Sequence, residues 1–311
     1  MTGVQTCALP IYAIAVTTIF HMAMKFLGLG LAFLLGMIAI GGFDNLQAHL
    51  IKTGSPQNLY NPFSVNLNYA FTLILGGILG GMAAQASIQP IFAAKDPITA
   101  KHACFLSSLI IAPFGIIVAF LGLIAKTGIF FDTSTLSSPK AALTTLLTTP
   151  EFIHPVFGAL AISGILAAIL STVGPVNFAI VTIATKDIYH NFINPEAKEE
   201  NVLKISKKLV ILVNFITIPM AIFIHDSVLD AAYISYSIRA IGAIVIISGL
   251  YLRGWITVSG AKMAFIGGTL AMFICIFASK FGFFDIDKTY GAIAVAIIFI
   301  ILGKFIDKFY R

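Results

Sequence analysis

Long apolar runs, separated by short polar loops, constrain this 311-residue chain more than any single motif does. A helix needs about 17–25 mainly apolar residues to cross a bilayer. Only 10% of the residues are charged, against roughly 25% in a soluble domain. The sequence therefore predicts an all-α integral membrane protein with about eight transmembrane helices. The predicted spans are residues 12–41, 66–86, 102–125, 155–184, 203–224, 229–252, 261–279 and 290–304.

The basic residues of the loops are distributed unequally between the two sides of these spans. One side carries twelve of them: Lys95, Lys101, Lys186, Lys198, Lys204, Lys207, Lys208, Arg253, Lys262, Lys304, Lys308 and Arg311. The other side carries five: Lys52, Lys126, Lys140, Lys280 and Lys288. Because cytoplasmic loops are rich in lysine and arginine, we expect the first side and both ends of the chain to be cytoplasmic in a multi-pass protein of the cell membrane. Because most of the basic residues fall in these short loops, the net charge of +6 does not indicate a nucleic-acid partner.

Three oxygen atoms in the fourth span form a candidate cation site. Ser171 and Thr172 follow Ala168 by three and four residues, so the Ala168 carbonyl oxygen and the two hydroxyls share one helical face. Neutral oxygens in this arrangement suit a small hard cation such as sodium. Alternatively, the hydroxyls bond back to their own helix and help it to pack. Because Pro175 has no N–H group, the pair Gly174-Pro175 predicts an interruption of the helix just after these oxygens.

A glycine-rich stretch in the second span allows two interpretations. It contains two pairs of adjacent glycines and then a glutamine: Gly76, Gly77, Gly80, Gly81 and Gln85. Glycines four residues apart commonly form a packing face between helices. Adjacent glycines also weaken a helix and let a ligand approach the backbone, as in the broken helices of transporters. The two interpretations are compatible, and the second predicts a substrate cavity at Gly77, Gly80, Gly81 and Gln85.

Three ionisable residues well inside the apolar runs need an explanation. His21 and Lys25 are four residues apart in the first span. We expect them near its cytoplasmic end, where a lysine side chain reaches the headgroups. Arg239 lies within the sixth span. A cation there indicates a functional site, or it pairs with Asp226 or Asp230.

Residues 2–11, TGVQTCALPI, carry no pattern of an ordered element. They resemble the translation of a common sequencing-adapter oligonucleotide, and the alternative is a short native lead. Residues 1–11 are therefore interpreted as a scar or a disordered lead, and residues 12–311 as a transmembrane unit. On the first interpretation, the chain is the C-terminal part of a longer membrane protein.

Three separate stretches carry a resemblance to a known family. They are residues 167–189, which begin AAILST and end DIY, residues 89–103 with QPIFAAKD and TAKHA, and residues 249–261, GLYLRGWITVSGA. In these stretches the chain resembles the sodium:solute symporter family, the relatives of the bacterial sodium/galactose and sodium/proline symporters. The similarity extends from about Ala13 to the end of the chain.

The resemblance implies an inverted-repeat fold of the leucine-transporter type, of which this chain would be a part. Residues 12–41 match the last helix of the first repeat, residues 66–252 match the second repeat, and residues 261–304 match additional helices. In the family, positions matching the Ala168 carbonyl and the Ser171 and Thr172 hydroxyls hold a sodium ion. The first core helix, which supplies the rest of that site in the family, has no counterpart in this chain.

The departures from the family pattern concern the solute. Where many relatives carry a small-acidic-hydroxyl run, this chain has Val173, Gly174 and Pro175. Sugar-transporting relatives have an aromatic gate at the position of Gly80, so a sugar is disfavoured, and an organic anion, an amino acid or a vitamin-like solute remains open.

The function that follows is sodium-coupled symport of a small organic solute, with sodium as the coupling ion and no organic cofactor. The partners implied are the solute, the lipid bilayer and the N-terminal helices of the same gene product. The alternative is a symporter-like membrane sensor domain of a signalling protein. We do not expect an enzyme, because the sequence contains no HExxH, GxSxG or GxxxxGK[ST] motif.

The asymmetry of the basic residues generates a prediction about topology. Accessibility tags in the loops at 186–208 and 127–153 are expected on opposite faces of the membrane, with the 186–208 loop in the cytoplasm. Labelling of intact cells and of permeabilised cells measures this directly. The same accessibility for both loops would contradict the assignment of residues 155–184, which lie between them, as a transmembrane span.

Overall fold

The computed structural model describes residues 3–55, 67–136, 138–223, 228–252 and 254–309, and throughout these ranges the only regular secondary structure is helical. The helices are α1 Gly3–Ile40, α2 Gly42–Lys52, α3 Leu67–Met82, α4 Gln85–Phe92, α5 Pro97–Lys126, α6 Ala142–Thr148, α7 Pro155–Thr182, α8 Glu199–Phe223, α9 Val228–Tyr251, α10 Val258–Phe281 and α11 Lys288–Phe309. A π-helical segment, Ile183–Ile193, continues α7. The all-α prediction is confirmed.

Six described helical segments are long and apolar enough to cross a membrane. They are Ala13–Ile40, Pro97–Lys126, Pro155–Ile193, Ala231–Tyr251, Val258–Phe281 and Lys288–Asp307. The bent pair α3 and α4 makes a seventh if it is counted as one span. The predicted fifth span, 203–224, coincides with α8, and α8 is not one of these six segments. Two residues at the ends of predicted spans lie outside the described ranges: Ile224 of the fifth span and Asn66 of the second. The chain is a multi-pass membrane protein, and the count of eight spans stays a prediction.

The helix α1 is longer than the sequence predicts. Its backbone is helical from Gly3, so residues 3–11, for which no ordered element was expected, continue the helix. The origin of these residues, as an adapter scar or a native lead, stays a prediction.

One unit of the structure, Met1–Ser64 together with Pro90–Val210, is organised around the contact between α1 and α7. Helix α5 packs beside α1, and α6 packs against both α5 and α7. The largest fully buried side chains of this unit come from α2, α5 and α6: Leu46, Leu50, Leu121, Ile124, Leu146 and Leu147. These leucine and isoleucine side chains hold α2, α5 and α6 together beside α1.

Two glycines allow α1 and α7 to approach closely. A Cβ atom on Gly28 would lie 2.5 Å from the carbonyl oxygen of Leu160, and one on Gly164 would lie 3.1 Å from the carbonyl oxygen of Met24. Small residues let backbones meet in this way in membrane proteins, where the contact depends on van der Waals packing because lipid is as apolar as the side chains. Gly28 meets Leu160, whereas Met24, earlier in α1, meets Gly164, later in α7. The two helices are therefore antiparallel.

The other unit comprises Val65–Gln89 and Ile211–Arg311. Helices α10 and α11 form its largest contact, and α9 packs against α3, α10 and α11. The hydroxyls of Ser237 on α9 and Thr289 on α11 are buried and lie 3.0 Å apart, within hydrogen-bonding distance. Because a buried polar group needs a partner, this pair fixes how α9 and α11 face each other.

The helix α5 begins at a side-chain cap within one of the stretches that resemble the symporter family. The Asp96 carboxylate accepts hydrogen bonds from the backbone N–H of Thr99 at 2.7 Å and from its hydroxyl at 2.8 Å. These bonds, led by the one from the Thr99 backbone, lower the pKa of Asp96 below its usual value. An N-cap aspartate followed by Pro97 at the first helical position is a strong signal for a helix start.

The α1–α7 contact generates a second prediction. Gly28→Ala should lower the free energy of unfolding by about 1–3 kcal/mol, because the new methyl group collides with the Leu160 carbonyl. Gly30→Ala is the matched control, since no atom lies within 4 Å of a Cβ at that position. Thermal unfolding of the detergent-solubilised protein measures both variants. Equal stability of the two would contradict the close contact.

Candidate functional site

The helix α7 carries the three oxygens of the candidate cation site, and it is continuous where the sequence predicts an interruption. It extends from Pro155 to Thr182 with Pro175 inside it. The prediction of a break at Gly174-Pro175 is therefore wrong. Proline removes one hydrogen bond of a helix, and here the turns on either side of it keep the helix intact. The chemical part of the argument still holds, because Pro175 has no N–H group to offer to the Ser171 carbonyl.

The three predicted ligand oxygens meet on one side of α7. The Ser171 hydroxyl donates a hydrogen bond to the Ala168 carbonyl oxygen at 2.9 Å, and the Thr172 hydroxyl donates to the same oxygen at 3.0 Å. Ala168 and Ser171 are half-buried, and Thr172 is exposed. These are the hydrogen bonds of the alternative left open above, in which the hydroxyls bond back to their helix. Each hydroxyl oxygen keeps acceptor lone pairs, so the same arrangement also offers oxygen ligands to a cation.

An ammonium group from α1 is hydrogen-bonded to this oxygen cluster. Nζ of Lys25 donates to the Ser171 hydroxyl oxygen at 3.0 Å, across 146 positions of sequence. Lys25 lies near the middle of the candidate span Ala13–Ile40, and its nearness to the cytoplasmic side stays a prediction. Sequence reasoning did not connect Lys25 with the cluster. The signal that pointed to it was its central place in an apolar run.

Close packing of the two helices brings Lys25 to Ser171. A Cβ atom on Gly164 would lie 3.5 Å from Cα of Lys25, so the lysine backbone lies directly against α7. Gly164 and Ser171 are seven residues apart, which is about two helical turns, and they therefore share one face of α7. The lysine side chain extends from the level of Gly164 to the Ser171 hydroxyl.

The surroundings of Lys25 carry little compensating charge. Within the described ranges, no carboxylate lies at ion-pair distance from its Nζ, and the sequence of α7 contains no ionisable side chain. His21 precedes Lys25 by one turn on α1, and its buried Nδ1 has no hydrogen-bond partner in the part of the chain that the structure describes. The ammonium is therefore held by a neutral hydroxyl oxygen.

The glycine-rich stretch of α3 presents two different faces. Gly76 and Gly80 are buried, and a Cβ atom on Gly80 would lie 3.1 Å from Cα of Tyr236 on α9. Gly77 and Gly81 are exposed, and a Cβ atom there would meet no atom within 4 Å. The packing interpretation thus describes Gly76 and Gly80, whereas Gly77 and Gly81 lie on an open face. Gly80 lies against α9 in this structure, and the assignment of these residues to a substrate cavity stays a prediction.

Helix α3 is also broken near these glycines. It ends at Met82, α4 begins at Gln85, and the two axes are bent by 43°. Gln85, which the sequence assigns to the substrate cavity, is the half-buried first residue of α4. These residues belong to the second unit of the structure, whereas Ala168, Ser171 and Thr172 belong to the first.

Arg239 on α9 bonds to groups of its own helix. Its Nη2 donates to the Ser235 hydroxyl at 2.9 Å, and its Nε donates to the Ser235 carbonyl oxygen at 3.2 Å. Its guanidinium carbon lies 4.7 Å from the centre of the Tyr236 ring, in a cation–π contact. The side chains of Asp226 and Asp230, the partners considered from the sequence, lie outside the described residues.

Comparison with known proteins places most of the chain within one family. A model of the sodium:solute symporter family matches residues 11–268. The comparison with curated proteins found no match.

Proposed function

We propose that this chain, which belongs to the sodium:solute symporter family, couples sodium entry to the uptake of a small organic solute. Members of this family are solute symporters with sodium as the coupling ion, and the chain has the apolar helices of a multi-pass membrane protein. The observation that carries the proposal is the meeting of the Ala168 carbonyl with the Ser171 and Thr172 hydroxyls, at 2.9 and 3.0 Å.

We assign the coupling ion to these three oxygens. The second lone pair of the Ala168 carbonyl oxygen accepts from the two hydroxyls in the structure, and it is open to an ion once they turn away. Each hydroxyl oxygen adds acceptor lone pairs beside it. The carbonyl of Ser171, deprived of a helical donor by Pro175, adds another acceptor on this helix. The family resemblance assigns further ligands to a first core helix, and we propose that a segment outside these 311 residues supplies it.

We assign the solute to the open face of α3 and the start of α4. This proposal rests on the exposed positions Gly77 and Gly81 and on the break ahead of Gln85. Broken helices in transporters present backbone polar groups to a substrate, and glycine leaves room for it. Gly80 stands where sugar transporters of the family carry an aromatic gate, so the proposed solute is a small organic molecule other than a sugar.

The proposed mechanism is alternating access without covalent chemistry. Sodium shifts the equilibrium between cavity states only to the extent that it binds one state more tightly than the other. The hydroxyl pair supplies such a difference if its oxygens turn toward the ion in one state and bond back to Ala168 in the other. Because transport by this mechanism breaks no bond of the solute, the proposal includes no enzyme activity.

The test is sodium binding by Ser171→Ala and Thr172→Val in the protein as its gene encodes it. Each substitution removes one hydroxyl ligand and keeps the side chain small. A hydrogen bond or contact to a charged partner is worth roughly 1.5–3 kcal/mol, so each variant should bind radioactive sodium about tenfold more weakly or worse.

The matched controls are Ser163→Ala and Thr182→Val on the same helix. Their hydroxyls bond back to Ala159 at 2.9 Å and to Phe178 at 2.7 Å, as Ser171 and Thr172 do to Ala168. These controls should leave sodium affinity unchanged. If the hydroxyls of Ser171 and Thr172 only pack the helix, their loss lowers the folded yield and leaves sodium affinity unmoved. An unchanged affinity in a well-folded double variant would overturn the proposed ion site.

A further inference from the structure

The ammonium group of Lys25 already occupies one side of the proposed ion site. Its Nζ lies 3.0 Å from the Ser171 hydroxyl oxygen, which lies 2.9 Å from the Ala168 carbonyl oxygen. An ammonium group and a sodium ion are both single positive charges that bind to oxygen lone pairs. Lys25 is therefore bound to one of the oxygens that the proposed function assigns to sodium.

The contact is enforced by the protein and is not the chance position of a surface lysine. Gly164 lets the backbone of α1 lie against α7 at Lys25, and the residue is near the middle of the candidate span Ala13–Ile40. Charged side chains at this depth are expensive and need a polar partner. In the described part of the chain, that partner is a neutral hydroxyl and not a carboxylate.

A sodium ion cannot join the ammonium group at this hydroxyl without strong repulsion. The Ser171 hydroxyl gives its proton to Ala168 and has lone pairs for two partners. Two unit charges about 4 Å apart, at the dielectric typical of protein sites, repel strongly enough to weaken binding roughly a thousandfold. One cation at a time is therefore the favourable occupancy.

We propose that Lys25 is a built-in competitor for the coupling cation: its ammonium group and a sodium ion occupy the Ser171 hydroxyl by turns. This inference rests on the proposed function, because it takes the Ala168, Ser171 and Thr172 oxygens as the sodium ligands. Lys25 then sets how tightly a monovalent cation binds, since sodium must displace an internal charge first. In the structure described here, the ammonium group holds the site.

The test compares Lys25→Met with Lys25→Arg in the protein as its gene encodes it. Equilibrium binding of radioactive sodium is measured at constant ionic strength, with choline as the replacement cation. Lys25→Met removes the charge and keeps a long flexible side chain, so sodium should bind at least tenfold more tightly than in the wild type. Lys25→Arg keeps a permanent charge, so sodium should bind no more tightly than in the wild type.

Two further variants keep the test decisive. Lys25→Gln, which retains an amide donor for Ser171, replaces Lys25→Met if that variant does not fold, and it should show the same tightening. Lys204→Met is the matched control for loss of a positive charge. Lys204 is exposed and paired with Glu200 at 2.7 Å on α8, so its removal should leave sodium affinity unchanged.

The outcomes separate this inference from the proposed function. Competition at the assigned oxygens is supported if sodium binds more tightly to Lys25→Met or Lys25→Gln but not to Lys25→Arg. The added substitution Ser171→Ala should then abolish the tighter binding. Unchanged or weaker binding in the uncharged variants, while Ser171→Ala still weakens the wild type, overturns the role of Lys25 and leaves the sodium site standing. If neither Ser171→Ala nor Thr172→Val changes sodium binding, whether Lys25 is present or replaced, the sodium site and the inference built on it are both wrong.

Discussion

The close contact between α1 and α7 is the constraint on which the candidate site depends. Gly28 and Gly164 lack the side chains that would hold the two backbones apart, and a Cβ atom at Gly28 would lie 2.5 Å from the Leu160 carbonyl oxygen. With the helices this close, the Lys25 side chain lies along α7 and its ammonium group reaches Ser171 at 3.0 Å. A larger residue at either glycine would separate the helices and remove the ammonium group from the oxygens. Helix packing and site geometry are therefore one property of this unit.

Helical periodicity explains why part of the site could be predicted from the sequence. Ala168, Ser171 and Thr172 are three and four positions apart, so a helix brings their oxygens together whatever packs around it, and the hydroxyls do meet the Ala168 carbonyl. The contact of Lys25 with Ser171 is different in kind, because it spans 146 positions. It depends on where two helices touch, which no local pattern specifies. The assignment of these oxygens to sodium stays a proposal, since geometry alone also fits hydroxyls that bond back to their helix.

The class of fold followed from apolar length and the low share of charged residues, and local rules failed where neighbouring structure decided the outcome. Pro175 predicts a break, yet α7 remains helical to Thr182, because one lost hydrogen bond is small beside the bonds of the flanking turns. The sequence could not show which glycines of α3 pack against another helix and which lie on an open face, because both roles need the same residue type. Only the position of Tyr236 on α9 separates buried Gly80 from exposed Gly81.

Exchange of one cation for another has an electrostatic advantage over simple filling of an empty site. The oxygens of Ala168, Ser171 and Thr172 are neutral, and α7 carries no ionisable side chain. With the ammonium group bound the site carries one positive charge, and with sodium bound in its place it carries the same charge. Because the cost of charge in a membrane span depends mainly on its net amount and solvation, both states have a similar cost if Lys25 moves toward water as sodium enters. Adding sodium beside a fixed ammonium group would double the charge, and removing both would leave the oxygens to bond only with one another. The proposed alternate occupancy by Lys25 and sodium would therefore keep the charge bound to these three oxygens constant, which matches a site built from neutral oxygens.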